Sequence, residues 1–246
     1  MIDTAMILAA GRGERMRPLT DKMPKPLIPV GGLPMLEHTL ARLTAHGVTN
    51  IVVNAHVFAE QIVDRVKGRA QVIVEDRLLD TGGSVKNALP LLGNGPFFVL
   101  NGDSLWRDGP DDPTLARMEG RWGADRMDAL LLLHPLHKVI GREAKDRGDY
   151  FIEPRGQLRH RGQAPLSPYV FASVSICHAQ LFRDSPDGPF SLLQLWHRAE
   201  AEGRLHGVIH NGDWFHIGTP QALATAERVL AAGMPATSVP ATSVPL

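Results

Sequence analysis

Residues 7–32 read ILAAGRGERMRPLTDKMPKPLIPVGG. The apolar run Ala5–Ala10 stops at Gly11 and empties into a loop carrying Arg12, Arg15, Arg17, Lys22 and Lys25, stiffened by Pro18, Pro24 and Pro26. A short, continuous apolar run suits a strand buried on both faces of a parallel sheet. Open parallel sheets bind ligands beyond the carboxyl ends of their strands, so the loop after the first strand is where a ligand belongs. Gly11 and Gly13 let the backbone approach that ligand and aim N–H groups at it. Proline lowers the entropy lost on ordering, so Arg15 and Lys25 are pre-positioned rather than merely solvated. The stretch therefore predicts an anion site. It is not a dinucleotide fingerprint, because Met16 stands where the third glycine belongs, and G-x-x-x-x-G-K-[ST] is absent.

Outward from this stretch the first half alternates. Leu36, Leu40 and Leu43 fall on one helix face over 34–46, with Gly47 as the stop. Strands are expected at 51–53, 72–74 and 97–100, and helices at 59–66 and 83–92. That rhythm means βαβ units: an α/β fold with an open, mostly parallel sheet flanked by helices. The second half is less regular. A helix at 115–122, strands at 129–133 and 169–176, a hairpin around Pro154-Arg155-Gly156, a helix at 191–202, short strands at 207–210 and 214–217 and a last helix at 221–231 are expected. One domain over 1–232 is the reading, with residues 1–110 as nucleotide half and 111–232 as sugar half once the resemblance below is admitted. The repeat ATSVPATSVP at 236–245 reads as a flexible tail.

Composition narrows the class. Of 246 residues 43% are hydrophobic and 21% charged, and the formal net charge is zero. A neutral chain is a poor nucleic-acid binder, since that affinity comes from neutralising phosphates. Cys177 is the single cysteine, which fits a cytoplasmic protein. No stretch approaches the roughly 20 apolar residues of a membrane span, and no leader peptide is visible.

The segment LAAGRGERMRPLTDKMPKPLIPVGGLP resembles the signature of the sugar-1-phosphate nucleotidyltransferases, L-A-A-G-x-G-x-R-[ML]-x-P-L-T-x-x-x-P-K-P-L, almost continuously. The resemblance runs on to Pro220. It implies a Rossmann-like, glycosyltransferase-A-like sheet and the reaction of an NTP with a sugar 1-phosphate to give an NDP-sugar and pyrophosphate. The implied partners are UTP and N-acetylmuramate 1-phosphate, in peptidoglycan recycling, and the implied cofactor is Mg²⁺, or Mn²⁺. Arg15 is then expected along the β/γ-phosphates and Lys25 at the α-phosphate. Leu8, Ala10, Gly11, Gly13, Asn54, Glu75 and Asn101 are expected around the nucleotide. Thr81, Gly82 and Gly83, in the segment resembling L-x-T-G-G, are expected at the base and ribose, the glycines leaving free N–H groups at a helix start. A simple cap by Asp80 or Thr81 is the plainer reading of the same residues. Arg12 and Arg17 read as ordinary loop arginines.

Asp103, in Asn101-Gly102-Asp103, is expected to bind the metal. Gly148, Asp149, Ser173 and Ser191 are expected beside the sugar; Ser173 stands where the family usually has glycine. His216 stands where the family has its second metal carboxylate, in GDWFHIGTP. It either ligates the ion, holds an ion-bound water or is a buried structural histidine. Asp213 is three residues away and should face the other side of its strand. Rival substrates are mannose 1-phosphate with GTP, glucose 1-phosphate with UTP or dTTP, and a phosphocholine-type alcohol phosphate with CTP. A non-catalytic nucleotide-sugar sensor is the reading from another class, and a monomer or small homo-oligomer is expected.

Overall fold

The computed structural model describes residues 1–111 and 113–233, so the ATSVP repeat lies outside the described residues. Strand β1 (Thr4–Leu8) leads into the loop and the tiny hairpin β2 (Pro29–Val30) and β3 (Leu33–Pro34), then α1 (Met35–His46). β4 (Asn50–Ala55), α2 (Ala59–Val66), β5 (Gln71–Val74), α3 (Asp80–Leu92) and β6 (Pro96–Asn101) complete the alternating half. β7 (Leu105–Arg107), α4 (Thr114–Arg121), β8 (Ala129–Pro135), β9 (Tyr150–Ile152), β10 (Leu158–His160) and β11 (Tyr169–His178) follow. α5 (Leu192–Ala201), β12 (Leu205–Ile209), β13 (Asp213–Phe215) and α6 (Pro220–Ala231) end the described chain.

One nine-stranded sheet holds both halves. Its main path runs β10-β9-β11-β6-β1-β4-β5, with β8 paired to β11 and to β12. β1, β4, β5 and β6 run parallel, as the strand–helix rhythm demands. β11 enters antiparallel between β6 and β8 and carries the sheet into the less regular half. The outlying two-stranded pair β7–β13 is antiparallel. β13 answers to the short strand expected at 214–217, whereas β7 and the β2–β3 pair have no counterpart in the sequence pattern, because so short a segment shows no usable period.

Neighbouring residues of the central strands feed opposite faces, the signature of a sheet covered on both sides. Ile7, Val53 and Phe98 join the core under α1 and α2, with Leu36, Leu40, Leu43 and Ile62. Met6, Val52 and Phe97 join the opposite core under α3 and α5, with Val85, Ala88, Leu195 and Trp196. A third cluster seats the basic loop: Met16, Ile28, Val30 and Met35 pack with Leu105, Ile140, Phe215 and Ile217. Between these anchors the loop winds through short 3₁₀ turns at 14–16, 19–21 and 25–27.

Polar groups are also buried. His134, on β8, is 1% exposed, its ring 5.7 Å from that of His210 and 6.2 Å from Trp214. Burial first, and then the nearby His210, bring the His134 pKa down to about 4; burial also lowers those of His206 and His210. In the unfolded chain a histidine titrates near 6.5, so below that pH the unfolded state takes up protons the folded state refuses. Stability is therefore lost as pH falls below about 6.5, for His134 down to about 4, at up to about 1.4 kcal/mol per pH unit for each proton so refused. Urea midpoints should drop between pH 7 and 5 and drop less for His134→Phe; an unchanged midpoint over that interval contradicts this account.

Candidate active site

A cleft of about 660 Å³ opens where β1, β4 and β6 end: Leu8, Asn54 and Asn101 sit at those ends and line it. The loop supplies one wall through Gly11, Gly13, Arg15, Met16, Lys25 and Pro26. The start of α3 supplies another through Asp80, Thr81 and Ser84. Ala9, Ala10, Glu14, Glu75, Leu78, Asp103, Pro189 and Gly218 complete it.

Its floor is a closed hydrogen-bond network. Ala9 N donates to Asn54 Oδ1 at 2.7 Å, and Asn54 Nδ2 donates to Glu75 Oε1 at 2.8 Å. Ser84 Oγ donates to the same carboxyl oxygen at 2.6 Å, and Leu79 N reaches Glu75 Oε2 at 3.3 Å. Asn54 and Glu75 are buried, so unpaired they would be costly. The network locks β1, β4, the turn after β5 and α3 into one rim.

The loop is held just as firmly. Thr20 Oγ1 donates to Gly13 O at 3.0 Å, and a Cβ on Gly13 would stand 2.9 Å from that of Lys25. Gly13 itself has φ 64, the region glycine tolerates. Gly11 is different: a Cβ there meets nothing within 4 Å, so the space beside it is open to the cleft.

Both expected phosphate cations face this cleft, and each already holds a carboxylate. Lys25 Nζ is 2.5 Å from Asp103 Oδ2, and Arg15 Nη1 is 3.1 Å from Glu143 Oε1. His216 stands behind Arg15, where a Cβ on Gly218 would lie 2.9 Å from His216 Nε2 and 3.4 Å from Arg15 Nη1. The imidazole pKa is lowered, chiefly by burial; Asp146 opposes this, and Lys25 and Arg15 add to it. His216 is thus disposed to be a neutral ring with a free lone pair, the form that accepts a hydrogen bond or a metal. Asp213 lies at the opposite face, its Oδ2 2.5 Å from Arg107 Nη2 across β7–β13.

Several expectations need correcting. The amides of Gly82 and Gly83 are not free: both donate to Phe190 O, at 2.8 and 3.1 Å. A Cβ on Gly82 would fall 2.4 Å from the Phe190 ring, and one on Gly83 2.4 Å from Gly188 O. These glycines admit the 188–190 segment. Thr81 lines the cleft, yet its Oγ1 accepts from Leu192 N at 2.9 Å. Gly148, Asp149, Ser173, Ser191 and His216 do not line the cleft. Gly148, at φ 74, packs against Ser167, and the Asp149 carboxylate accepts from Phe171 N at 2.9 Å. Ser191 caps α5 by accepting from Leu193 N. Ser173 sits at φ 63, inside the register shift of β11, one residue before Val174, which pairs with Leu100 near the cleft end of β6. Glu143 was missed, because its partner Arg15 lies 128 residues away and no local pattern marks it.

Comparison with known proteins places the chain. Residues 4–120 match the nucleotidyl transferase family. The chain is 41% identical over 236 residues to the N-acetylmuramate alpha-1-phosphate uridylyltransferase of Caulobacter vibrioides, covering 92% of this chain and 96% of that protein. It is 34% identical over 238 residues to the protein of the same description from Neisseria meningitidis, covering 93% and 98%. The structure of a UDP-glucose pyrophosphorylase complexed with UDP-glucose shares the fold, with TM-score 0.75 at 15% identity, covering 95% of this chain and all of that one. The chain therefore belongs to the nucleotidyl transferase family. It is an enzyme of the sugar-1-phosphate nucleotidyltransferase class.

The two kinds of glycine make a direct contrast. Gly82→Ala forces a Cβ into Phe190 and should cost about 1–3 kcal/mol of stability, whereas Gly11→Ala should melt like the wild type and lose nucleotide affinity. Thermal melts with and without UTP separate them; a Gly11→Ala protein that binds UTP normally contradicts the assignment.

Proposed function

We propose that the chain transfers the uridylyl group of UTP to N-acetylmuramate 1-phosphate, in peptidoglycan recycling in the cytoplasm. An oxygen of the sugar phosphate attacks the α-phosphorus in line, and the bond to the α,β-bridging oxygen breaks. The electron pair leaves with pyrophosphate. Two relatives of that description, aligned over nearly their whole length, support the substrate pair. The observation that carries the chemistry is the convergence of Gly11, Gly13, Arg15 and Lys25 on one cleft at the carboxyl edge of the sheet.

Each group has a part that its position supports. Gly11 leaves room for the triphosphate against the backbone. Arg15, with its forked donors, lies along the β/γ-phosphates and takes the charge of the departing pyrophosphate. Lys25 lets go of Asp103 and turns to the α-phosphate and the incoming sugar phosphate. Positioning and charge stabilisation carry the rate, since phosphoryl-group chemistry asks little covalent work of a protein. Residues 1–232 act as one unit, the second half closing over the sugar. Ser173, at φ 63 and one residue before Val174, which pairs with Leu100 of β6, is the side chain of that half assigned to the sugar.

The donor set fits a divalent ion that arrives with the nucleotide. Among the described residues no three His, Cys, Asp or Glu side chains gather into a cage, and Mg²⁺ characteristically uses one or two carboxylates together with substrate phosphates and waters. Asp103 would supply the carboxylate, and the His216 ring nitrogen would serve the ion as a water-mediated partner or, for Mn²⁺, as a direct ligand. When bound, the ion neutralises phosphate charge as a Lewis acid. Among the described residues no helix is long and apolar enough to cross a membrane.

Pyrophosphate release should be measured across the NTPs and a panel of sugar 1-phosphates. The reading requires release with UTP and N-acetylmuramate 1-phosphate, and a fall in kcat of about 10²–10³ for Lys25→Ala. Another productive pair would replace the substrate within the same class. Nucleotide binding without turnover in any mixture would favour the sensor reading.

A further inference from the structure

Beyond the loop and the sheet edge, one acidic side chain reaches the cleft machinery from a distant segment. Glu143 lies between β8 and β9, in a stretch fixed at both ends. His216 N donates to Ile140 O at 2.8 Å, and a Cβ on Gly141 would lie 2.5 Å from His216 O. Three residues on, the Asp146 carboxylate accepts from the Glu143 amide at 2.8 Å. The Glu143 carboxylate is thus delivered to a set place. Its Oε1 is 3.1 Å from Arg15 Nη1 and 3.9 Å from His216 Nε2, and its Oε2 is 3.0 Å from Lys145 Nζ.

Arg15 lines the cleft and Glu143 does not. The guanidinium therefore stands between a protein carboxylate on one side and the expected place of the phosphates on the other. We propose that Glu143 is the positioning residue for Arg15: it holds the guanidinium between turnovers, yields it to the triphosphate, and takes it back from pyrophosphate so that product leaves. This rests on the reading of Arg15 as the β/γ-phosphate ligand. The pair is suited to exchange. The Arg15 side chain is 58% exposed, so the ion pair is weak. Lys145 shares the carboxylate and dilutes its hold further. A polyphosphate brings more charge and more acceptor oxygens than one carboxylate, so it wins the guanidinium when present. A tightly bound arginine would resist the substrate, and an unheld one would retain the product.

Four proteins decide the matter: wild type, Glu143→Gln, Arg15→Ala and the double variant. Calorimetric affinity for inorganic pyrophosphate is read at one fixed ionic strength, with KM and kcat alongside. Glu143→Gln should bind pyrophosphate about two- to fivefold tighter, as loss of an exposed competing ion pair allows, and should lower the KM for UTP without raising kcat. The gain should vanish in the Arg15→Ala background, because the effect runs through that side chain. Equal or weaker pyrophosphate binding by Glu143→Gln, with Arg15→Ala clearly impaired, overturns the role of Glu143 and leaves that of Arg15 standing. The same gain in both backgrounds also overturns it, as a mere change of net charge. Arg15→Ala binding as well as wild type removes both. Matching melting temperatures of wild type and Glu143→Gln exclude a folding artefact.

Discussion

The cleft depends on a buried carboxyl group. Glu75 is 4% exposed at the end of β5 and accepts from Asn54, Ser84 and the Leu79 amide. Asn54 in turn accepts from Ala9 N, the first residue beyond β1. An isolated buried carboxyl is expensive, and a partly satisfied network is worse than none. Because every arm is satisfied, the ends of β1, β4 and β5 and the first turn of α3 have one compatible arrangement. That arrangement sets the mouth into which the basic loop must fit.

The loop then solves an electrostatic problem. Cations grouped to receive a triphosphate repel one another when nothing is bound. The protein meets this by giving each a carboxylate, Asp103 for Lys25 and Glu143 for Arg15. Met16 and Ile28 root the loop in the cluster shared with Phe215 and Ile217, so the cations move only at their tips. The departure at 216 belongs to the same balance. A family carboxylate would add negative charge beside Arg15; here a ring whose charged form is disfavoured by burial stands there, and a carboxylate arrives from Glu143 instead.

What the sequence revealed follows from what is local. The apolar run before Gly11, the leucine spacing of α1 with Gly47 at φ 94, and the strand–helix alternation are short-range patterns, and each has its element. The cleft position followed from the strand that ends at Leu8. Glycines were legible as close approaches but not as approaches to what: Gly11 faces open space, whereas Gly82 and Gly83 face Phe190 and Gly188. The partners of the residues expected beside the sugar were not legible. Gly148 packs against Ser167 and the Asp149 carboxylate accepts from Phe171 N, contacts that exist only once β11 has found its place in the sheet. Glu143 had no local signal at all, since its meaning comes from β13 and the loop together.

The central claim is that the triphosphate lies along the loop, with its α-phosphate at Lys25. It is tested most directly by a crystal structure with Mg²⁺ and a UTP analogue that cannot be cleaved between the α- and β-phosphates. The account predicts the triphosphate beside Gly11 and Gly13, its terminal phosphates on Arg15, and Lys25 turned from Asp103 to the α-phosphate. A nucleotide bound with its phosphates away from the loop, or with the Lys25–Asp103 pair intact, contradicts it.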